Sequence, residues 1–96
     1  MNAIRKIIRA DGTEIGLDAA VSIVQACKLI GAETLDTVML ADRVHVMLVD
    51  DNGYERDLPV NQKATALYLK RCRTGTTHEI VGDVVIVPDS DFGGVA

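Results

Sequence analysis

The run Val84-Val85-Ile86-Val87 constrains the fold more than any other stretch of this 96-residue chain. A strand with one face in water alternates apolar and polar residues, whereas this run is apolar and β-branched throughout. Such a run is typical of an interior strand that is covered on both faces. We therefore expect a sheet with this strand in its interior, and we expect Pro88 to end the strand.

The clearest helix follows Asn61, a favoured N-cap residue whose side-chain oxygen can accept from the free amides of the first turn. Good helix formers extend from Gln62 to about Lys70. Arg71 interrupts the apolar face, so either the helix ends near Lys70 or Arg71 lies at the rim of the core with its head group in water. Four residues form an apolar stripe able to face a sheet: Ala64, Leu67, Tyr68 and Cys72.

Two short strands are predicted near the start of the chain. Met1–Ala10 carries isoleucines among basic residues and is too short for a stable isolated helix, so it is interpreted as a strand. Asp11-Gly12 is typical of a hairpin turn. Thr13–Leu17 then continues as a second strand, with Ile15 and Leu17 on one face.

The first helix is predicted to begin at Ser22, because Ser22 and Gln25 have the spacing of a capping box. Asp18 is an earlier alternative cap. Gly31 suits the residue that follows the end of a helix. Helical spacing relates four apolar residues: Ile23, Val24, Cys27 and Ile30.

Thr34–Leu40 and Val44–Val49 both have strand-like patterns, joined by a short turn at residues 41–43. The strongest turn signal of the sequence comes next, at Asp50–Gly53. Its last two residues, Asn52-Gly53, fit a type I′ turn, which predicts that Tyr54–Leu58 pairs back on the preceding strand.

The element order predicts one α+β domain over residues 1–96. Its sheet is expected to be mixed or antiparallel, with about five to six strands and both helices on the same face. A β-grasp-like arrangement is one topology that fits. We expect the tail Ser90–Ala96 to be flexible. No apolar run approaches the length of a membrane span, so a cytoplasmic protein without membrane contact is expected.

The charges are segregated along the chain. The net charge of −4 argues against direct nucleic-acid binding, which depends on many basic contacts to phosphates. Glu33–Asp57 contains seven acids, which predicts an acidic face able to engage a basic partner. Leu58–His78 contains no acid and four cations: Lys63, Lys70, Arg71 and Arg73.

The segment from Arg71 to His78 combines guanidinium groups, hydroxyls and a glycine, which are the groups that anion sites use. It lacks the spacing of a P-loop or a dinucleotide site and follows a helix instead of preceding one, so a plain solvated loop is the alternative interpretation. The candidate ligand-binding residues are Arg71, Arg73, Thr76, Thr77 and His78, with Asn61 at the start of the preceding helix.

No catalytic residue, metal ligand or cofactor is predicted. The turn at Asp50–Gly53 resembles the opening of a calcium loop, but its glycine comes too early. His45 and His78 lack zinc-site spacing, and no nucleophile lies in a recognisable motif. Cys27 and Cys72 lack CxxC spacing and are expected to be reduced core thiols. We therefore expect a protein that is not an enzyme.

The C-terminal half carries a family resemblance. Its pattern is Leu58-Pro59-Val60-Asn61, then Ala64-Thr65 and Leu67-Tyr68, then Ile80-Val81-Gly82-Asp83-Val84-Val85-Ile86-Val87. This pattern resembles a family of small uncharacterised proteins from bacteriophages and bacterial mobile elements, which share LPVNxxATxLY…IVGDVVIV. The resemblance implies a phage or prophage origin and a place in the host bacterial cytoplasm. It implies no established activity, so no site residue is carried over.

Two functions fit these observations. The first is a non-enzymatic accessory protein that binds and inhibits a host or defence protein through its acidic face or an exposed strand edge. The second is a sponge or sensor that holds an anionic small molecule, a nucleotide or a phosphate, at the Arg71–His78 loop, in one arrangement across a homodimer interface. A DNA-binding regulator is disfavoured by the net charge.

Overall fold

A five-stranded sheet runs through the centre of the protein, whose computed structural model describes residues 4–72, 75 and 77–92. Its strands are β1 (Lys6–Ile8), β2 (Glu14–Gly16), β3 (Leu35–Met39), β4 (His45–Asp50) and β5 (Val84–Pro88). Two α-helices, α1 (Ile23–Ile30) and α2 (Gln62–Arg71), and a short 3-10 helix, Asp89–Phe92, complete the described elements.

The strand order is β2-β1-β5-β4-β3, and every neighbouring pair is antiparallel. The predicted interior strand is confirmed, because β5 occupies the centre of the sheet and each of its residues is buried. Of the two sheet types expected, the antiparallel one is found. The first and last strands lie side by side, as in a β-grasp sheet, but here they are antiparallel.

The two helices lie on opposite faces of the sheet, so the expectation that they share one face is wrong. Side chains alternate across a strand, and the unbroken apolar run of β5 therefore needs cover on both faces. On one face Ala26 and Ile30 of α1 pack against Ile7, Val46, Leu48, Val85 and Val87. On the other face Ala64 of α2 packs with Ile8, Leu40, Met47, Ile80, Val84 and Ile86.

Helix α1 begins and ends as predicted. Ser22 and Gln25 form a capping box, and Gly31 takes the left-handed conformation at φ 70°. Its buried face differs from the expected stripe, because Ile23 and Val24 are 45% and 64% exposed. Ala26 faces the sheet instead and is fully buried. Its small side chain allows the helix to lie close to the strands.

The segment after β4 folds into successive turns, so the predicted return strand at Tyr54–Leu58 is wrong. Gly53 lacks the positive φ that a type I′ turn requires. The buried Asp50 carboxylate organises the turns instead, because it accepts from the Asn52 N–H at 2.8 Å and from the Arg56 guanidinium. A side chain at Gly53 would clash, since its Cβ would lie 2.8 Å from Val81 Cγ2.

Helix α2 begins after Asn61, as predicted, and Asn61 itself is fully buried. Its Nδ2 donates to the carbonyl oxygens of Ile8 and Gly82, both at 2.9 Å. Its Oδ1 accepts from the Ala64 N–H at 3.0 Å. One side chain therefore joins β1, the turn before β5 and the first turn of α2. Helix α2 ends at Arg71, one residue beyond the predicted end near Lys70, and the Arg71 side chain is exposed.

The described start of the tail has regular structure, and its expected flexibility stays a prediction. The 3-10 helix Asp89–Phe92 continues directly from β5. The Asp91 carboxylate accepts from Arg5 Nε at 2.7 Å and Nη2 at 2.8 Å, and this interaction lowers the pKa of Asp91. Residues 93–96 of the predicted flexible tail lie outside the described residues.

We predict that Asn61→Ala lowers the free energy of unfolding by about 3 kcal/mol, because two buried carbonyls and one N–H lose their partner. Urea unfolding followed by circular dichroism measures the change. Gln62→Ala, at the adjacent exposed position, is the control and should change the free energy by less than about 0.5 kcal/mol. A loss in Asn61→Ala no larger than in the control would contradict the role assigned to Asn61.

Candidate functional site

A basic groove of about 590 Å³ lies between the turn that joins β3 to β4 and the last turn of α2. Arg43 projects from the turn, and Lys70 and Arg71 project from the helix. The rest of the lining comes from Met39, Leu40 and Ala41. We call this the basic groove. Its volume lies within the range of small-molecule pockets, roughly 300–1,000 Å³.

The cations of the basic groove have no carboxylate partner in the part of the chain that the structure describes. By contrast, five other described cations form ion pairs with acids: Arg5, Lys6, Arg9, Arg56 and Lys63. Lys28, on α1, is the remaining described cation without such a pair. Of the four cations that form no ion pair among the described residues, three thus converge on one groove.

The acid next to Arg43 is engaged elsewhere. Asp42 accepts from the N–H groups of Val44 and His45 at 2.8 and 2.9 Å and contacts His45 Nδ1 at 2.7 Å. These hydrogen bonds, led by that from the His45 backbone, lower the pKa of Asp42 to about 2. Because the Ile4 N–H donates to His45 Nε2 at 3.1 Å, the buried imidazole serves as a structural bridge.

A second, smaller groove of about 220 Å³ is acidic. Asp50 is buried there and neutralised by Arg56. Asp36, Asp51 and Glu79 are exposed and form no ion pair with any described residue. The remaining lining residues are Val49, Tyr54, His78, Ile80 and Val81. We call this the acidic groove.

The acidic groove borders β3, which is the outermost strand of its side of the sheet. The Thr34 carbonyl accepts from the Asp51 N–H, and the Leu40 N–H donates to the His45 carbonyl. Because hydrogen-bonded pairs alternate along an antiparallel ladder, the even-numbered residues of β3 bond to β4. The odd-numbered residues Leu35, Thr37 and Met39 therefore direct their N–H and C=O groups outward. The Asp36 carboxylate already accepts from the Thr37 N–H at 2.9 Å.

The opposite edge of the sheet, β2, is three residues long and carries charges that discourage further pairing. The Glu14 carboxylate binds Lys6 Nζ at 2.7 Å and Lys63 Nζ at 2.9 Å. These two ammonium groups, Lys6 first, lower the pKa of Glu14 to about 2. The edge at β3 is longer, with five residues, and is thus the better candidate for an added strand.

Among the residues that the structure describes, the predicted ligand residues do not gather into one site. Arg71 lines the basic groove, whereas His78 lines the acidic groove. The His78 ring lies edge-on to two tyrosines, with centroid distances of 5.4 Å to Tyr54 and 5.6 Å to Tyr68. Thr77 is exposed.

Asn61, a further candidate, does not contribute to either groove. Asn61 is fully buried with its amide engaged internally, so it presents no atom to a ligand. Arg73 and Thr76 lie outside the described residues. Sequence reasoning missed Arg43, because only the packing of α2 over the sheet brings the β3–β4 turn beside Lys70 and Arg71.

The described residues contain no group of three or more His, Cys, Asp or Glu side chains arranged to hold a metal ion. Cys27 and Cys72 are free thiols, each partly buried. Within the described residues, no helix is long and apolar enough to cross a membrane.

Comparison with protein-family models, with curated proteins and with solved structures found no match to this chain. The geometry of the two grooves and of the β3 edge therefore carries the functional argument.

We predict that Asp42→Asn destabilises the protein by about 1 kcal/mol near pH 6 and that this difference disappears toward pH 2. The folded-state pKa of Asp42, about 2, lies below its ordinary value of 3.8. The ionised carboxylate therefore contributes its full stability above about pH 4 and loses it as the pH falls through about 2. Urea unfolding at several pH values measures the difference.

Asp18→Asn is the control for this series, since Asp18 is exposed and its side chain forms no hydrogen bond with a described residue. It should leave the free energy of unfolding unchanged at each pH. A difference between Asp42→Asn and the unmodified protein that stayed constant from pH 6 to pH 2 would contradict the assignment.

Proposed function

We propose that this protein is a non-enzymatic accessory protein of a bacteriophage or mobile element that binds and inhibits a host or defence protein. The partner contributes an extended basic segment that adds to the sheet along β3. The observation that carries the proposal is the free backbone edge of β3 beside three exposed carboxylates without ion pairs. The family resemblance of the C-terminal half supports the source and the host cytoplasm as the location.

Strand addition uses the outward backbone groups of β3. Leu35 and Met39 offer N–H donors and carbonyl acceptors to an incoming strand. The third outward donor, the Thr37 N–H, is held by the Asp36 carboxylate. A lysine or arginine of the partner that binds Asp36 draws this carboxylate away from the edge and frees the Thr37 N–H for pairing.

The acidic groove supplies the preference for a basic partner. Asp36, Asp51 and Glu79 attract cationic side chains and disfavour acidic segments through repulsion. Tyr54 is 56% exposed, and its hydroxyl donates to the Glu79 carbonyl, which holds the ring at the groove. The ring can pack against the aliphatic stem of a lysine or against a guanidinium group.

We predict that Thr37→Pro abolishes partner binding while the sheet remains intact. The Thr37 N–H points away from β4, so proline removes an outward donor and blocks the edge without breaking the β3–β4 ladder. Gly16→Pro is the matched control, because Gly16 directs its N–H outward from the other edge of the sheet. Circular dichroism verifies that both variants fold.

A pull-down from the natural host, at low and at moderate salt, measures the effect. The unmodified protein and Gly16→Pro should retain the same protein partner, and Thr37→Pro should lose it. Equal retention by Thr37→Pro, recovery of no partner, or recovery of only a second copy of this chain would each count against the proposal.

We predict that replacing the three exposed acids of the acidic groove with Asn or Gln weakens partner binding at low salt and removes most of its salt dependence. The variants are Asp36→Asn, Asp51→Asn and Glu79→Gln in one chain. The control combines Asp18→Asn, Glu55→Gln and Asp57→Asn, which make the same net charge change outside the acidic groove. An equal loss in both triple variants would show that general charge, and not this groove, attracts the partner.

A further inference from the structure

We propose that the basic groove binds a small molecule that carries phosphate groups, through Arg43, Lys70 and Arg71. The basic groove adjoins the partner edge of β3 at Met39, but its three cations lie outside β3. It differs from the anion site expected at the Arg71–His78 loop, because Arg43 and Lys70 join Arg71 whereas His78 lies in the acidic groove.

The backbone at Arg43 is held in place without a ligand. Arg43 takes the left-handed conformation, at φ 59°, and its N–H donates to the Leu40 carbonyl at 3.0 Å. The Leu40 N–H donates to His45 O at 2.9 Å, and Asp42 holds the next two amides. Because these hydrogen bonds fix the backbone of the turn, the turn loses little conformational freedom when Arg43 binds a ligand.

The opposite wall is equally anchored. Helix α2 is held at its start by Asn61 and in its first turns by Thr65, whose Oγ1 accepts from the Ile80 N–H at 2.9 Å. Lys70 and Arg71 occupy its last turn, where their charges also offset the negative end of the helix dipole. Lys70 and Arg71 therefore stabilise the helix even without a ligand. A loss of stability on their replacement would not show that they bind a ligand, so ligand affinity is the quantity to measure.

The side chains of the groove match phosphate. Guanidinium groups bind phosphate oxygens in pairs, and a lysine adds a compact charge. The buried Leu40 offers an apolar contact for the organic part of a ligand, and about 590 Å³ accommodates a molecule of nucleotide size. Free inorganic phosphate would bind the same groups, so the probes include both inorganic phosphate and organic phosphates.

A long polyanion is disfavoured by the acids on the same face. Asp36 and Leu40 both direct their side chains to the α2 face and are four residues apart on β3, roughly 13 Å. A nucleic acid seated on the basic groove would therefore run close to the unpaired carboxylates of Asp36 and Asp51, which repel it. A small ligand stays within the groove.

The test is equilibrium binding to the full chain at fixed ionic strength. The probes are inorganic phosphate, pyrophosphate, ATP, GTP and a cyclic dinucleotide, measured by isothermal titration calorimetry and by the shift in melting temperature. We expect saturable binding of at least one organic phosphate, with inorganic phosphate binding more weakly. Tighter binding of inorganic phosphate than of every nucleotide would identify the free ion as the ligand and would overturn the assignment of an organic phosphate.

Each cationic residue of the basic groove is then replaced by a neutral residue that suits the same backbone conformation. Arg43→Asn suits the left-handed turn, and Lys70→Gln and Arg71→Gln keep good helix formers in α2. Each should raise Kd about tenfold, the effect of losing one charge-assisted contact. Lys28→Gln is the matched control, since Lys28 is an unpaired cation on α1 at the opposite face, and it should leave Kd unchanged.

Three results would overturn the proposal: no saturable binding of any probe, unchanged Kd in the three groove variants, or an equal rise of Kd in Lys28→Gln. Thr37→Pro should bind the phosphate probe as the unmodified protein does. The outcome therefore separates this site from the partner edge, so either proposal can fail alone.

Discussion

The buried amide of Asn61 is the contact on which the rest of the structure depends. Its two hydrogen-bond donations and one acceptance join β1, the turn before β5 and the start of α2, which are distant in sequence. Since backbone groups in an apolar interior need partners, no apolar side chain could replace it. The position of α2 over the sheet follows, and with it the position of Lys70 and Arg71 beside the β3–β4 turn.

Among the described residues of the α2 face, that packing places unpaired charges of opposite sign in two separate grooves. One end, at the β3–β4 turn, gathers three cations, and the other end, beside Asp36, gathers three exposed carboxylates. These described cations and exposed carboxylates lack partners of opposite sign nearby. By contrast, Glu14 on the edge strand β2 forms ion pairs with Lys6 and Lys63. A protein partner at the β3 edge and a phosphate ligand in the basic groove are the complementary chemistries.

The sequence predicted those elements whose signals are local. The interior strand β5, the caps at Ser22 and Asn61, and the β3–β4 pair all follow from residues near each other in the chain. The return strand at Tyr54–Leu58 failed, because the buried Asp50 holds that segment as turns, and its burial depends on tertiary packing. The basic groove was predicted only through Arg71, since tertiary packing places Arg43 on the same groove and no sequence spacing reveals that placement.

Native mass spectrometry of this protein, isolated gently from its natural host, is the decisive experiment because one spectrum reports bound proteins and bound small molecules together. We expect a complex heavier than the 10.3 kDa chain by the mass of another protein, which dissociates as salt is raised. A spectrum that contains only this chain, alone or as a homo-oligomer, would rule out the proposed protein partner.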